Sequence, residues 1–427
     1  MRKRKQREGI FCMTVHVIDE ANRCLNCKKP MCRQGCPIQT PIPMMIKAFK
    51  EGDLNEAGEM LFSNNPMSMI CSLVCNHEKQ CEGHCVLGRK GEPVHISSIE
   101  NYVSDTYFDK MKIECAPSNG KKVAVIGAGP AGITIAIMLT KKGYEVTIFD
   151  ARDKIGGVLQ YGIPDFRLPK TILERYKKKL REIGIKIRPN TTIGGALEIK
   201  DLFRDGYESI FIGTGVWRPK KLGIKGESLG NVHFAIDYLA NPDSYELGDT
   251  VAIIGMGNSA MDVARTALRK GARNVTLYAR GLKSQASAEE IAYAKVDGAV
   301  LSFGMQPVEI TDDGPVFQKV LFDEEGNRTG VDETPIQVHA DSTIVSVSQG
   351  PKDKLVNTTE GLKASANGLL VTNQFGETTH PGIFAAGDVV LGAKTVVEAT
   401  AYAKVVADAI DQYMQGTLEE KLPERLT

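Results

Sequence analysis

Residues 122–150, KVAVIGAGPAGITIAIMLTKKGYEVTIFD, decide the fold of the larger part of this chain. Lys122 to Ile126 predicts a short buried strand, GAGPAG at Gly127 to Gly132 predicts a tight turn, and the apolar residues after the turn predict a helix. Glu145 to Phe149 predicts a second strand, which ends at Asp150. An acidic residue about 20 residues beyond a glycine turn completes the fingerprint of a dinucleotide-binding βαβ unit.

The chemistry of the glycine turn indicates what the first unit binds. Its first glycine permits the tight turn, its second lets the backbone approach a pyrophosphate, and its third lets the helix pack against the strand. The helix N-terminus then faces the phosphate charge, and Asp150 is placed to accept hydrogen bonds from ribose hydroxyls. FMN lacks the second phosphate and the adenosine that these groups would hold, so we predict FAD at this turn.

The same pattern recurs later in the chain. Thr250 to Ile254 predicts a strand, GMGNSA at Gly255 to Ala260 a glycine turn, and Asn274 to Tyr278 the next strand. This second site is predicted to bind a nicotinamide dinucleotide. Its predicted phosphate-binding residues are Gly255, Gly257, Asn258 and Ser259.

The coenzyme of the second site depends on the residues just after its second strand. An acidic residue there would bind the 2′-hydroxyl of NAD and repel a 2′-phosphate. This chain has Arg280 instead, and Arg280 with Lys283 could bind that phosphate. Ala260 in place of the third glycine also favours NADP. The alternative is that Arg280 is a surface residue and the coenzyme is NAD.

Eight of the ten cysteines lie in two short runs ahead of the glycine turns. Thiolates gathered this densely, with a proline after the fourth, are typical of iron–sulfur ligands. Structural zinc usually takes C-x2-C pairs, of which the runs contain one, and disulfide scaffolds are usually short secreted chains. We therefore predict that the two runs bind iron–sulfur clusters. Cys12 and Cys115 lie outside the runs, and we predict that they are buried or functionless thiols. The two runs are Cys24-x2-Cys27-x4-Cys32-x3-Cys36-Pro37 and Cys71-x3-Cys75-x5-Cys81-x3-Cys85.

The composition is that of an ordinary globular enzyme. Hydrophobic residues make up 42% and charged residues 25% of the 427, and the net charge is near +1, which argues against nucleic acid as a partner. No apolar stretch approaches the ~20 residues that span a bilayer. The basic tail from Arg2 to Arg7 has no apolar run behind it, so it is not typical of a signal peptide, and we expect a cytoplasmic protein.

The order of these patterns predicts an α/β protein with a helical iron–sulfur domain and two Rossmann-like domains. Predicted strands at Ser342 to Val347 and Gly382 to Ala385, with a helix at Glu398 to Met414, return the chain to the first Rossmann-like domain, so that the second is inserted into it. The predicted domains are residues 1–117 with the clusters, 118–240 with the first part of the FAD site, 241–338 with the NAD(P) site, and 339–427 with the second part of the FAD site.

These motifs together resemble a known family. The chain is similar to the small (β) subunit of bacterial glutamate synthase, to the N-terminal half of dihydropyrimidine dehydrogenase, and to the large subunit of bifurcating NADH-dependent ferredoxin:NADP oxidoreductase. The resemblance covers nearly the whole chain. It rests on RCLNCKKPMCRQGCP, CNHEKQCEGHC, VAVIGAGPAG, GGVLQYGIPDFRLPK, the second glycine turn and IFAAGDVVLGAKTVVEA.

The resemblance implies two interleaved 4Fe-4S clusters. One would be held by Cys24, Cys27, Cys32 and Cys85. The other would be held by Cys36, Cys75, Cys81 and Glu100. Cys71 is then spare, although ligation by cysteine alone is usual and keeps Cys71 open as the eighth ligand.

The resemblance also implies residues for both dinucleotides. Relatives that bind NADP carry a basic pair and a further arginine in the segment ARGLKSQASAEE, where this chain has only Arg280 and Lys283 as basic residues. The family usually has Glu at the position of Asp150. The implied FAD residues are Gly127, Gly129, Pro130, Ala131, Gly132, Asp150, Gly157, Val158, Arg167, Ile193, Gly387, Asp388, Thr395 and Val396.

The function expected from the motifs and the resemblance is electron transfer between NAD(P)H, FAD and 4Fe-4S clusters. No catalytic side chain is predicted, and no C-x-x-C pair lies beside the FAD turn, which argues against disulfide reduction. We expect a subunit of a glutamate synthase-like complex, whose larger catalytic subunit or ferredoxin-like acceptor docks near the cluster domain. The alternatives are a subunit of a dihydropyrimidine dehydrogenase-type or ferredoxin:NADP oxidoreductase-type complex, a stand-alone reductase, and a non-catalytic scaffold.

Overall fold

A computed structural model describes residues 16–418. The basic tail and Cys12, on which the sequence analysis made predictions, lie outside the described residues. The chain divides into two compact units, Met1–Met111 and Lys112–Thr427. No helix of the described part is long and apolar enough to cross a membrane.

The described residues of the first unit form short helices joined by loops, with no strand among them. Its helix α3 buries Ile42, Met45, Ile46 and Phe49, which share one face because they recur at the helical period. These side chains pack with Leu61 and other apolar residues of the following helices. The helices of this unit are α1 (Val17–Arg23), α2 (Met31–Gly35), α3 (Ile42–Lys50), α4 (Leu54–Asn64), α5 (Ser68–Val74) and α6 (Ile96–Phe108), with a 3-10 turn at Val86–Arg89.

The second unit contains two parallel five-stranded sheets, one antiparallel three-stranded sheet and one short strand pair. Its strands are β1 (Lys122–Ile126), β2 (Glu145–Phe149), β3 (Lys186–Arg188), β4 (Tyr207–Ile212), β5 (Arg218–Pro219), β6 (Val232–Phe234), β7 (Thr250–Ile254), β8 (Asn274–Ala279), β9 (Val300–Phe303), β10 (Met305–Thr311), β11 (Gly314–Phe322), β12 (Arg328–Gln337), β13 (Ser342–Val345), β14 (Gln349–Gly350) and β15 (Ile383–Ala385).

The helices of the second unit alternate with these strands. They are α7 (Pro130–Lys141), α8 (Val158–Tyr161), α9 (Lys170–Glu182), α10 (Ile199–Arg204), α11 (Ala235–Ala240), α12 (Asn258–Arg269), α13 (Ala288–Asp297), α14 (Lys354–Asn357), α15 (Asp388–Leu391) and α16 (Val396–Gln415), with a 3-10 turn at Pro242–Ser244.

The first parallel sheet, which we call the flavin sheet, has the order β15-β4-β1-β2-β3. The inner residues of β1 and β2 are buried on both faces of the sheet, as parallel strands covered by helices require. Helix α16 packs against α7 on this sheet. The chain thus leaves the flavin sheet at β4 and returns to its edge only at β15.

The second parallel sheet, the nicotinamide sheet, has the order β6-β13-β7-β8-β9. It is formed entirely by residues that lie between β4 and β15 in the sequence, as is the antiparallel sheet β10-β11-β12. Strands β5 and β14 pair antiparallel where the chain leaves and re-enters the flavin sheet, with Arg218 opposite Gly350. The nicotinamide sheet is therefore an insertion into the flavin domain, joined to it by two adjacent chain segments, as the fold class predicted.

Candidate cluster and dinucleotide sites

Four cysteines of the first unit line one recess. Cys24 ends α1, Cys32 lies on α2, and Cys85 precedes the 3-10 turn, so local helix ends bring cysteines from both runs together. The recess is open on one side, and its empty space, counted together with the adjoining solvent, is about 390 Å³. The residues that line it are Cys24, Leu25, Cys27, Met31, Cys32, Ile42, Pro43, Ile46, Cys85, Val86, Leu87, Val94 and Ile96.

The apolar wall of this recess disfavours free thiolates. Burial raises the pKa of the Cys32 thiol to about 11 and also raises the pKa of Cys24. A bound metal centre would offset this penalty, because coordination stabilises the thiolate and the thiol proton is released to solvent. The recess therefore suits an iron–sulfur cluster, and it groups the four cysteines that the resemblance assigned to one cluster.

The remaining ligand candidates form a second group. A hydrogen bond to the Cys71 thiol, followed by burial and by the charges of Cys71, Glu100 and Cys81, raises the pKa of Cys75 well above its usual range. Burial, then the charges of Glu100, Glu82 and Cys36, raises the pKa of Cys81. These residues are thus close enough for their charges to interact, although they come from distant parts of the unit.

Glu100 is the anomalous member of the second group. Its carboxylate is buried, it accepts a 2.6 Å hydrogen bond from Ser68 Oγ at Oε1, and burial raises its pKa to about 7. No basic group is among the causes of its shift, and a buried carboxylate without such a partner is costly unless another group compensates its charge. Both Glu100 and Cys71 lie beside Cys75, so the structure keeps both as candidates for the fourth ligand.

No three His, Cys, Asp or Glu side chains in residues 16–418 converge on a point that would hold a single metal ion. A 4Fe-4S cluster does not require its ligands to meet at one point, because each of its four irons takes its own protein ligand. Both groups consist mainly of thiols, which are the usual ligands of iron–sulfur clusters. Cys115 is exposed and lies outside both groups.

The first glycine turn is built as the sequence predicted. Gly127 has φ +103°, and a Cβ there would lie 2.5 Å from the carbonyl oxygen of Gly213. A Cβ on Gly132 would lie 1.9 Å from the carbonyl oxygen of Gly127. At Gly129, by contrast, the nearest atom is 4.0 Å away, so the space that a side chain would fill is left open for a ligand.

Asp150 is fixed against this turn. Its Oδ2 accepts a 2.6 Å hydrogen bond from Ala128 N, and its Oδ1 accepts one of 2.8 Å from Arg152 N. Burial is the main cause that raises its pKa. The backbone of Thr191 donates to Asp150 O at 2.7 Å, which places the segment ahead of the buried Ile193 at the same end of β2.

Both later parts of the predicted FAD site reach the turn. A Cβ on Gly157, which precedes Val158, would lie 3.0 Å from Gly129 Cα, and a Cβ on Gly387 would lie 3.2 Å from the Cβ of Ala131. Asp388 follows at the start of α15, and burial raises its pKa to about 6. Thr395 caps α16, whose first residue is Val396, in a reciprocal pair with Glu398. Pro130 opens α7, where the missing N–H costs no hydrogen bond.

Arg167 departs from the other predicted FAD residues. Its guanidinium forms ion pairs of 2.7 Å with Asp262 and 2.7 Å with Glu290, both of which belong to helices of the inserted domain. The FAD contact of Arg167 stays a prediction.

The second glycine turn repeats the geometry of the first. Gly255 has φ +133°, and a Cβ there would lie 2.2 Å from the carbonyl oxygen of Ser346. Gly257 precedes α12, and no atom lies within 4 Å of the position of its Cβ. Asn258 Oδ1 accepts a 2.9 Å hydrogen bond from Ser287 N, while Ser259 is exposed. The segment after β8 thus folds back over a turn whose outer face is open.

Arg280 and Lys283 are exposed at the carboxyl end of β8. Neither forms an ion pair with any acid within residues 16–418. Two exposed cations without an ion pair in the described residues therefore lie just after β8, in the segment that follows the second glycine turn.

Two sets of residues were missed by sequence reasoning. Ser68 contacts Glu100 from 32 residues away, and no local pattern indicates it. Asp262 and Arg265 carried a usable signal, since they are charged residues on the buried, alanine-rich face of α12.

Two dinucleotide turns on nested parallel sheets, together with two groups of thiols in a helical domain, define a flavin- and nicotinamide-dependent iron–sulfur oxidoreductase. Residues 3–112 match the family described as dihydropyrimidine dehydrogenase domain II, 4Fe-4S cluster. Residues 87–202 and 121–403 match pyridine nucleotide-disulphide oxidoreductase. The small chain of the NADPH-type glutamate synthase of Azospirillum brasilense is 35% identical over 434 residues, which cover 94% of this chain and 90% of that protein.

Two further comparisons agree. Subunit PreT of the NAD-dependent dihydropyrimidine dehydrogenase of Salmonella typhimurium is 32% identical, over 93% of this chain and 94% of that protein. FprA of Mycobacterium tuberculosis in complex with NADPH shares the fold, with a TM-score of 0.59 and 18% identity over 72% of this chain and 88% of that chain. The chain belongs to the family of the glutamate synthase small chains, within the pyridine nucleotide-disulphide oxidoreductases.

This membership confirms the predicted family, fold class and activity class. The chain is an NAD(P)H-linked oxidoreductase whose cofactors are FAD, a nicotinamide dinucleotide and 4Fe-4S iron. Named relatives are subunits of larger enzymes, so a partner subunit is consistent with the family.

Proposed function

We propose that the chain is the electron-input subunit of a glutamate synthase-like complex, oxidising NADPH and passing the electrons to a partner. The observation that carries the proposal is the grouping of the cysteines into two sets on a chain that also has two dinucleotide turns. FAD accepts a hydride from a nicotinamide and releases the electrons one at a time, which is what clusters accept.

We propose two 4Fe-4S clusters, with the first in the recess formed by Cys24, Cys27, Cys32 and Cys85. Apolar side chains form most of the wall around these four ligands, which are themselves partly buried. For the second cluster we propose Cys36, Cys75, Cys81 and Glu100. The hydrogen bond from Ser68 occupies Oε1 of Glu100 and leaves Oε2 for the metal.

For the dinucleotides, we propose that the open backbone at Gly129 holds the FAD pyrophosphate and that Asp150 orients the ribose. Asp388 and the first turn of α16 would complete that site, because Gly387 brings them to Ala131. The open backbone at Gly257 and the exposed hydroxyl of Ser259 would hold the second pyrophosphate. Arg280 and Lys283 would bind a 2′-phosphate, which favours NADPH.

NADH is the second candidate coenzyme. Only two basic residues, Arg280 and Lys283, lie in residues 279–290 at the end of β8, and a relative that is 32% identical is named as a subunit of an NAD-dependent enzyme. A preference for NADH would leave the two cations without a ligand and would make the partner enzyme NAD-linked.

The partner would dock at the mouth of the recess. Leu25, which lines the recess, is 62% exposed, an unusual state for a large apolar side chain next to two cysteines. The exposed cations that lie in sequence beside the cysteines of the recess form no ion pair with acids of the described part, so an acidic face on a larger subunit or on a ferredoxin-like carrier would complement them. These cations are Lys28, Lys29, Arg33, Arg89 and Lys90.

We place the protein in the cytoplasm, because cluster ligands must stay reduced and reducing conditions keep them so.

The proposal is tested on anaerobically purified protein. We expect about eight iron atoms per chain from two 4Fe-4S centres, FAD on heat release, and bleaching of the flavin spectrum by NADPH. Copurification with a larger subunit separates a complex from a stand-alone reductase. Bound zinc with little iron, or a flavin that neither nicotinamide coenzyme reduces, would contradict the proposal.

A further inference from the structure

Two consecutive residues of the flavin domain contact the inserted domain. Arg167 lies just ahead of α9, and it pairs with Asp262 on α12 and Glu290 on α13. The three side chains are 13%, 4% and 11% exposed, so water screens these pairs little. The guanidinium of Arg167 thus contacts both α12 and α13, the two helices that follow the second glycine turn.

The preceding residue contacts the same helix. The guanidinium carbons of Arg265 and Arg269 lie 4.6 Å and 4.2 Å from the centroid of the Phe166 ring. Arg265 also pairs with Glu290 at 3.1 Å and with Asp297 at 2.9 Å. The resulting cluster contains equal numbers of cations and carboxylates and no excess charge. Its ionic members are Arg167, Arg265, Arg269, Asp262, Glu290 and Asp297.

The connection between the two domains makes this contact consequential. Only two chain segments, paired as β5 and β14, join them. Two adjacent crossings form a hinge, and the orientation about a hinge must be set by side-chain contacts. Buried ion pairs suit that purpose, because a shift that separates them leaves uncompensated charges and is therefore costly.

We propose that Phe166 and Arg167 form a seat for the inserted domain and fix the orientation of its nicotinamide site toward the flavin site. Arg167 is then a positioning residue for hydride transfer. The inference rests on the proposed function, since it takes the nicotinamide at the second glycine turn and the flavin at the first. Hydride transfer needs reacting atoms about 3–3.5 Å apart, so a small misorientation slows it strongly.

Substitution of Asp262 distinguishes the positioning role of Arg167 from a direct contact between Arg167 and flavin. Its Oδ1 is buried and has no hydrogen-bond partner in the described residues, so Arg167 supplies its main compensation. Burial is the largest influence on its pKa, which is raised to about 7 despite the nearby guanidinium. Asp262 belongs to the inserted domain, so its substitution disturbs the seat while every predicted FAD residue, Arg167 included, keeps its own side chain.

The test uses the anaerobic, cofactor-loaded protein. Rapid mixing with NADPH measures the limiting rate of flavin reduction and the apparent dissociation constant for Asp262→Asn, Arg167→Met and the wild type. We expect both variants to slow the limiting rate at least tenfold, with the dissociation constant changed less than twofold. The double variant should be no slower than the worse single variant, because both break one contact. FAD content and the flavin spectrum of Asp262→Asn should match the wild type.

A second measurement tests the contact between the two domains independently of enzyme activity. Hydrogen–deuterium exchange should rise in residues 163–168 and in α12 of both variants. Phe166→Leu, which removes only the ring contact, should show a smaller rise. Glu309→Gln breaks the exposed pair of Lys225 and Glu309, 2.6 Å apart, and is the matched control that should change neither readout.

Two outcomes overturn the inference. One is an Asp262→Asn protein with wild-type flavin reduction and wild-type exchange. The other is an Arg167→Met protein with an altered flavin spectrum while Asp262→Asn has no effect, which would make Arg167 a flavin contact only. If neither coenzyme reduces the wild-type flavin, the proposed function fails, and the exchange measurement still decides whether the seat exists.

Discussion

The hydroxyl of Ser68 donates a 2.6 Å hydrogen bond to Oε1 of Glu100, and both side chains are buried. Ser68 begins α5, which also carries Cys71, while Glu100 lies on α6. The hydrogen bond therefore fixes one oxygen of the only carboxylate among the proposed cluster ligands. It also sets the direction in which the other oxygen can bind iron.

If Glu100 completes the second cluster, Glu100→Ala should lower the iron content from about eight to about four atoms per chain, because one of two 4Fe-4S centres is lost. Cys71→Ser should retain all the iron. Iron analysis with electron paramagnetic resonance of the reduced protein measures both. The reverse pattern would make Cys71 the ligand and Glu100 a buried neighbour.

Ser68→Ala should keep both clusters and shift the potential of one. A hydrogen bond to a ligand stabilises the reduced cluster, so its loss should lower the potential. One hydrogen bond is worth about 1 kcal/mol, which corresponds to a shift of roughly 40 mV for one electron. A mediated redox titration measures the shift. Ser72→Ala is the control, because Ser72 is another buried serine of α5 and its hydroxyl donates to the backbone carbonyl of Met69, not to Glu100.

The second glycine turn offers a matched pair of substitutions. Gly257→Ala should fold normally, because its Cβ meets no atom within 4 Å, but it should weaken NADPH binding by filling the space that the pyrophosphate needs. Gly255→Ala should destabilise the domain, since its Cβ would lie 2.2 Å from Ser346 O. Thermal unfolding and coenzyme titration separate the two effects. Tight NADPH binding by Gly257→Ala would place the coenzyme elsewhere.

Arg280→Ala should weaken NADPH binding by roughly 1.5–3 kcal/mol through the loss of charged hydrogen bonds, and it should leave NADH binding nearly unchanged. Equilibrium titration of the flavin-loaded protein with each coenzyme measures this. Lys225→Ala is a suitable control, because Lys225 is an exposed cation already paired with Glu309. An equal loss for both coenzymes, or a wild-type preference for NADH, would return Arg280 to a surface role.

The parallel strands were predictable because their signal is local. β1, β2 and β7 have the predicted bounds, since each is a five-residue apolar run ended by a glycine turn or an acid. Helix starts were less accurate. α16 begins at Val396 and not at the predicted Glu398, because Thr395 caps the helix by accepting a hydrogen bond from the backbone N–H of Glu398.

The antiparallel sheet was not predicted. Most residues of β12 are exposed, and the strand contains Pro335, so it shows neither an apolar run nor a regular alternation. The seat and the pair of Ser68 and Glu100 were missed for another reason. Arg167 and Asp262 are 95 residues apart in sequence, and no local period encodes a contact at that separation.

The split of the flavin sheet has a consequence for synthesis. Ser209 lies in β4, and its Oγ donates a hydrogen bond to the carbonyl of Gly382, 173 residues later in the chain. The edge strand β15 begins at the residue after Gly382. When translation has reached Gly382, all strands of the inserted domain have been synthesised. Strand β15 and helix α16 of the flavin domain have not. We expect nascent chains that end before Ile383 to bind the nicotinamide coenzyme but no flavin. An unfinished chain would then hold reductant without passing its electrons to oxygen.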